Sequence, residues 1–121
     1  MRDNPEAHVL RAILAAWGAH PRLRIVRVNV GVGWFAKGKP ARKTDAGAYP
    51  VHFGVPGTAD LVGLIAPSGR MVMIECKSAT GTQRDEQKVM QAVVERFGGL
   101  YLLARGVADV DQAFAALGVT R

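Results

Sequence analysis

Gly57-Thr58-Ala59-Asp60-Leu61-Val62-Gly63-Leu64-Ile65 is followed by Ala66-Pro67-Ser68-Gly69-Arg70 and then by Met71-Val72-Met73-Ile74-Glu75-Cys76-Lys77. Two short apolar runs separated by a turn rich in Pro and Gly read as a β-hairpin of neighbouring strands, Leu61 to Ile65 and Met71 to Cys76. Side chains alternate along a strand, so Glu75 and Lys77 share one face and Cys76 points to the other. A hairpin turning near Pro67 to Gly69 sets the start of its first strand beside the end of its second. Asp60 and Glu75 are therefore expected at one end of one sheet.

Outward from the hairpin the pattern predicts an alternation of helices and strands. Asn4-Pro5-Glu6 opens a helix, with Asn4 as cap and Pro5 at the first helical position. Val9, Leu10, Ile13, Leu14 and Trp17 then recur at helical spacing to about Ala19. Leu23 to Val30 has period two, with Val26, Val28 and Val30 on one face and Ile25, Arg27 and Asn29 on the other. Thr82 is expected to cap a second helix, three residues before Asp85, with Val89, Met90, Val93, Val94 and Phe97 as its buried stripe. Gly98-Gly99 ends it. Leu100 to Ala104 predicts a further strand, apolar enough to be central, and Asp109 to Leu117 a short last helix burying Val110, Phe114 and Leu117. Gly31 to Pro56 is too long for an ordinary connection and is either functional, flexible or hiding a hairpin.

The chain of 121 residues, 49% hydrophobic, suits one domain over residues 1–121 with a single core. Its 16 Lys and Arg against 10 Asp and Glu give a formal charge of +6, which favours a polyanionic partner such as DNA. Cys76 is the only cysteine, so an intrachain disulfide and a cysteine zinc site are both excluded, as suits a reducing cytosol. No segment approaches the roughly 18 apolar residues of a membrane span, and Met1-Arg2-Asp3-Asn4-Pro5 opens no signal-peptide pattern. A cytoplasmic protein with no membrane partner is expected. His8, His20 and His52 share no metal-ligand spacing, and Gly31-x-Gly33 lacks the third glycine of a dinucleotide fingerprint.

Two carboxylates at one sheet end are the oxygen ligands a hard cation takes. Asp60, Glu75 and the backbone carbonyl of Cys76 would make a Mg²⁺ or Mn²⁺ site, completed by a phosphate. Such an ion polarises a phosphoryl oxygen and acidifies an attacking water, and Lys77 supplies a compact positive charge beside it. Each residue also has a plainer reading. Glu75 and Lys77 would serve equally as a solvated strand pair worth well under about 1 kcal/mol, and Asp60 as a turn acid bonding nearby backbone. Glu6 lies on the apolar face of the first helix, where an inward carboxylate needs a partner, yet an acid there is also favoured by the helix dipole. Gln87, in line with Met90 and Val94, either supports the site or bonds a carbonyl at the sheet edge.

The ordered set resembles the VRR-NUC family, the virus-type replication and repair nucleases of the PD-(D/E)XK superfamily. The residues that carry it are Arg27-x-Asn29-x-Gly31, Pro56-Gly57-x-x-Asp60, Glu75-x-Lys77 and Gln87, spread over about residues 6 to 104. The resemblance implies an α/β fold, a restriction-endonuclease-like αβββαβ core with a mixed central sheet flanked by helices. It implies a metal-dependent endonuclease in which Asp60, Glu75 and Glu6 serve the metal, Lys77 is the catalytic lysine and Gln87 supports them. The usual serine that opens the helix before the glutamine is displaced, Thr82 taking the capping job, and Ala59 stands where the superfamily has proline. Stand-alone relatives resemble Holliday-junction resolvases, which implies a homodimer cutting branched DNA. A flap or single-strand nuclease, or a noncatalytic DNA-binding protein, are the alternatives. Arg27 and Asn29, with Lys37, Lys39, Arg42 and Lys43 of the long basic segment, are the expected phosphate contacts, and Trp34 or Tyr49 the stacking platform. A mobile solvated loop is the competing reading of that segment.

Overall fold

The computed structural model describes residues 4–121. Met1-Arg2-Asp3, read above for the absence of a signal-peptide pattern, lie outside the described residues. Asn4 accepts a hydrogen bond from the Ala7 N–H at 3.2 Å and opens α1, Pro5–Trp17. Leu10, Ile13 and Trp17 form its buried stripe. The helix ends two residues before the expected Ala19.

A four-stranded sheet, order β1-β5-β6-β7, is the centre of the fold. It is built from β1 (Leu23–Arg27), β5 (Leu61–Ile65), β6 (Arg70–Cys76) and β7 (Leu100–Ala104). The first three run antiparallel to their neighbours, while β7 pairs parallel with β6 after the crossover through α2, Asp85–Arg96. The β5–β6 hairpin stands as expected, with Leu61 opposite Ile74 and Ile65 opposite Arg70. The fold is thus α/β with a mixed sheet flanked by helices, and its core elements follow the order α1, β1, β5, β6, α2, β7.

Alternation along the strands gives the sheet two apolar faces. On one, Val72, Ile74, Cys76, Leu61, Leu23 and Ile25 meet α1 and α3, Val107–Ala115, with Trp17 packed edge-on against Phe114 at 4.8 Å between rings. On the other, Met73 and Tyr101 meet Val94 of α2, with Val62 and Met90 beside them. The indole N–H of Trp17 donates to Asp111 at 2.9 Å, so this large buried ring leaves no unpaired donor.

Five sequence expectations are corrected here. β1 stops at Arg27 rather than Val30, and its core face is Leu23 and Ile25, leaving Val26 exposed, because α1 and α3 cover that side. β7 is an edge strand and not a central one; helices on both faces, not a further strand, account for its apolar sequence. In α2 the inward row is Gln87, Met90 and Val94, which turns Val89 out to solvent, and Phe97 lies past the last helical turn with 80% exposure. Arg84, not Thr82, occupies the cap position of that helix. Leu117 is exposed beyond the end of α3, and Val119 is buried in its stead.

The long segment after β1 holds a second sheet of order β3-β2-β4, from β2 (Gly31–Ala36), β3 (Lys39–Pro40) and β4 (Tyr49–Phe53). β2 turns into β3 through Lys37 and Gly38, both with positive φ (52° and 74°), the two-residue turn whose hand suits strand twist. The segment is a ribbon, so it does hide a hairpin. Among the described residues no helix is long and apolar enough to cross a membrane.

Two phenylalanines of the expected apolar stripes now part company. Phe114→Ala is expected to cost about 3–5 kcal/mol by the cavity it leaves, and Phe97→Ala under about 1 kcal/mol. Urea unfolding of both variants checks this; equal losses would contradict the packing of α2 and α3.

Candidate active site

The β5–β6 register sets the site. One step beyond the Leu61–Ile74 pair places Asp60 across from Glu75, on the sheet face that carries α2. Like charges directly opposite one another repel. Asp60 Oδ2 is held by the backbone N–H of Cys76 at 2.9 Å, which fixes the first carboxylate. Glu75 is 4% exposed and its Oε1 accepts from the Gln87 amide at 2.8 Å, with Lys77 Nζ 3.6 Å away. Its other oxygen, Oε2, is buried with no hydrogen-bond partner among the described residues, although the Asp60 backbone N–H lies near enough to the carboxylate to favour its charged form. Burial first, then the neighbouring Asp60 carboxylate, push the Glu75 pKa up to about 7 against the opposing pull of Lys77, Arg84 and the Asp60 backbone N–H.

A buried carboxylate oxygen without a donor costs free energy that a nearby cation would recover. Lys77, itself 6% exposed, pairs with Oε1 at 3.6 Å, beyond hydrogen-bonding distance. The donor set fits a hard divalent ion, since it is all oxygen and carries two acids.

Gln87 is fixed by its own chemistry. The Arg84 N–H can only donate, so the Gln87 amide oxygen faces it at 2.9 Å and the NH₂ is turned toward Glu75. One side chain thereby caps α2 and orients Glu75, which is why a helix with arginine at its cap position, where Ser or Asp would be better by about 1 kcal/mol, still starts there. Gly57 brings the Asp60 segment against this helix: at φ +90°, a Cβ on it would collide with the Glu86 carbonyl oxygen. The Tyr101 hydroxyl, pushed up to about 12 by burial and then by the Glu75 charge, hydrogen-bonds with Gln83 and lies 3.5 Å from the Gly57 carbonyl oxygen. Arg105 donates to the carbonyls of Ser78 (2.6 Å) and Gly81 (2.7 Å) and so ties down the loop after Lys77.

The structure brings Asp60, Glu75, Lys77 and Gln87 together. Glu6 differs from the expectation that it faces inward: it is exposed at the start of α1, because burial in that helix begins deeper, at Leu10. Its Oε1 still stands over Gly81, 3.5 Å from where a Cβ would be, beside the Lys77 stem. Among the described residues no group of three or more His, Cys, Asp or Glu side chains is placed to hold a metal, so Glu6 does not join Asp60 and Glu75 in such a group. Arg27 and Asn29 are exposed beside this sheet end, where the Val28 N–H donates to the Asp60 carbonyl at 2.8 Å. Lys37, Lys39, Arg42 and Lys43 are exposed on the ribbon. Arg42 is tied to Asp45 through its backbone and guanidinium, at 2.9 and 3.3 Å, which makes it part of a turn.

Sequence reading passed over Arg84, Tyr101 and Arg105. Only Arg84 gave a signal, a cation three residues before Gln87 at a place where helices favour Ser, Thr, Asp or Asn. Compared with known proteins, the chain matches no family model, no curated protein and no solved structure.

Glu75 should make metal-free stability depend on pH. Its folded pKa of about 7 lies above the ordinary 4.5, so the folded chain holds the proton more tightly than the unfolded one. That contribution is fully present below pH 4.5 and is lost as pH rises through about 7. Urea unfolding with a chelator should show Glu75→Gln gaining about 2–3 kcal/mol over wild type at pH 8 but little at pH 4.5. The same pH dependence in both proteins would remove Glu75 as the buried, proton-holding acid.

Proposed function

We propose that this chain is a Mg²⁺- or Mn²⁺-dependent endonuclease that hydrolyses phosphodiester bonds in structured DNA of the Holliday-junction type. The observation that carries the reading is the unpartnered buried oxygen of Glu75 opposite Asp60, with Lys77 beside it. The order α1, β1, β5, β6, α2, β7 supports a restriction-endonuclease-like core, and the spacing of Asp60, Glu75-x-Lys77 and Gln87 supports membership of the VRR-NUC family. The formal charge of +6 suits a DNA partner.

Asp60, Glu75 and the Cys76 carbonyl would hold the ion, with Glu6 as the further acid that the resemblance implies. When bound, the ion supplies charge neutralisation at the phosphate and a more acidic water. The Cys76 N–H keeps Asp60 aimed, and Gln87 keeps Glu75 from turning away. Lys77 holds its ammonium where negative charge builds as the water oxygen bonds to phosphorus and the P–O bond to the leaving oxygen breaks, that oxygen taking up a proton. Tyr101 and Arg105 act as positioning residues by fixing the Gly57 and Ser78 to Gly81 backbone.

A homodimer follows from the resemblance and would double the basic surface.

Lys77→Ala should lower Mn²⁺-dependent cleavage of a four-way junction by about 100-fold or more. Asp60→Asn should lose Mn²⁺ binding by calorimetry with little change in unfolding. Equal cleavage by wild type and Lys77→Ala would remove Lys77 from the reaction. DNA binding without cutting under any metal would support a noncatalytic DNA-binding protein.

A further inference from the structure

The side chain of Arg84, unlike its backbone, does nothing for the helix it opens. It makes no capping bond, and a cation at the positive end of a helix is unfavourable. Its nearest acid is Glu86, at 3.7 Å in a half-exposed pair that contributes little. What Arg84 does line is a cleft of about 260 Å³, together with Glu86, Gly57, Val32 and His52. Gly57 lies three residues before Asp60 in the chain, and the Gln87 side chain bridges the Arg84 N–H and Glu75 at 2.9 and 2.8 Å, so the Arg84 end of the cleft stands one glutamine amide away from Glu75.

The other end runs onto the ribbon. Val32 pairs with His52, Trp34 with Pro50 and Ala36 with Lys39, and alternation puts all of these on one face. Lys43 Nζ lies over the Trp34 ring on this ribbon, 5.7 Å from its centre. Phe35 and Tyr49 lie on the opposite face, stacked on each other at 6.5 Å. One face therefore carries an aromatic ring among cations in line with the cleft, while the other closes on itself. Cations that follow a backbone, with an aromatic ring for a base, are the means by which proteins hold single strands. A cleft of about 260 Å³ is too small to take in a duplex. A base stacks on a side chain only when its own face is free.

Resting on the nuclease reading, we propose that Lys39, Lys43, Trp34, His52 and Arg84 form a track for one unpaired DNA strand, leading it to Glu75 and Lys77. Among the branched DNAs of that reading, the preferred substrate then carries a single-stranded segment beside the bond that is cut, and a fully paired junction is cut more slowly. Tyr49, named with Trp34 as a stacking residue from sequence, is off the track.

The test measures fluorescence anisotropy in chelator with a single strand, a blunt duplex and a splayed duplex, alongside Mn²⁺-dependent cleavage of the splayed duplex and a fully paired four-way junction. Wild type should bind the single strand and the splayed duplex more tightly than the blunt duplex. Trp34→Ala and Arg84→Ala should each weaken single-strand binding roughly tenfold, with Trp34→Phe restoring it and Tyr49→Ala unchanged. Arg84→Ala should also flatten the salt dependence by about 0.7 in logarithmic slope. Arg84 lies outside the ribbon, so its variant reports even if Trp34→Ala disturbs that sheet. Equal binding by Trp34→Ala and Tyr49→Ala, or a wild-type preference for blunt duplex, would overturn the track. Cleavage of the paired junction as fast as the splayed duplex would overturn it while leaving the nuclease reading intact. Single-strand binding on this face with no cleavage under any metal would overturn the nuclease reading alone.

Discussion

Two carboxylates face each other across β5 and β6, and one of them is buried with an oxygen that has no hydrogen-bond partner among the described residues. Placing Asp60 opposite Glu75 is unfavourable both by repulsion and by desolvation, and the Glu75 pKa of about 7 records that cost. Much of the local structure keeps the arrangement from relaxing. The Cys76 N–H pins Asp60, Gln87 pins Glu75, and α2 is anchored by the same glutamine. Gly57 lets the Asp60 segment press against α2 because no Cβ intervenes. Free energy spent on holding unfavourable chemistry in place is characteristic of a functional site rather than of a fold.

The same constraint explains what sequence could show. The β5–β6 hairpin was readable because strand period and turn chemistry are local, and the Asn4 cap because Asn-Pro at a helix start is local too. Glu75, Lys77 and Gln87 follow from alternation and helical spacing once those elements are placed. Failures occurred where a residue's role depends on a distant neighbour. Thr82 has better capping chemistry than Arg84, but Gln87 reaches back to the Arg84 N–H and moves the start of α2. The apolar run of β7 reflects helices on both faces, which local composition cannot tell from a central position. The inward tilt expected of Glu6 assumed that the first turn of α1 already lies over the sheet. The ribbon was hidden because its strands are short and interrupted by Gly and Pro, which read as loop.

Charge on the molecule is divided by task. Lys77 is buried, 3.6 Å from Glu75, whereas Lys39, Lys43 and Arg84 are exposed on the ribbon and at the start of α2. Tyr101 and Arg105 carry no chemistry of their own, yet they hold the two loops that flank the acids, one from below through Gly57 and one through Ser78 and Gly81. Loss of either is a loss of aim.

The central claim is that Glu75 is buried and half-satisfied because a divalent cation completes it. A crystal of the protein soaked in Mn²⁺ and measured at the manganese edge tests this most directly. The account predicts one anomalous peak between the Asp60 and Glu75 carboxylates, about 2.0–2.4 Å from the nearest oxygen of each. A peak only elsewhere, or none while Glu75 Oε2 stays bare, would contradict it.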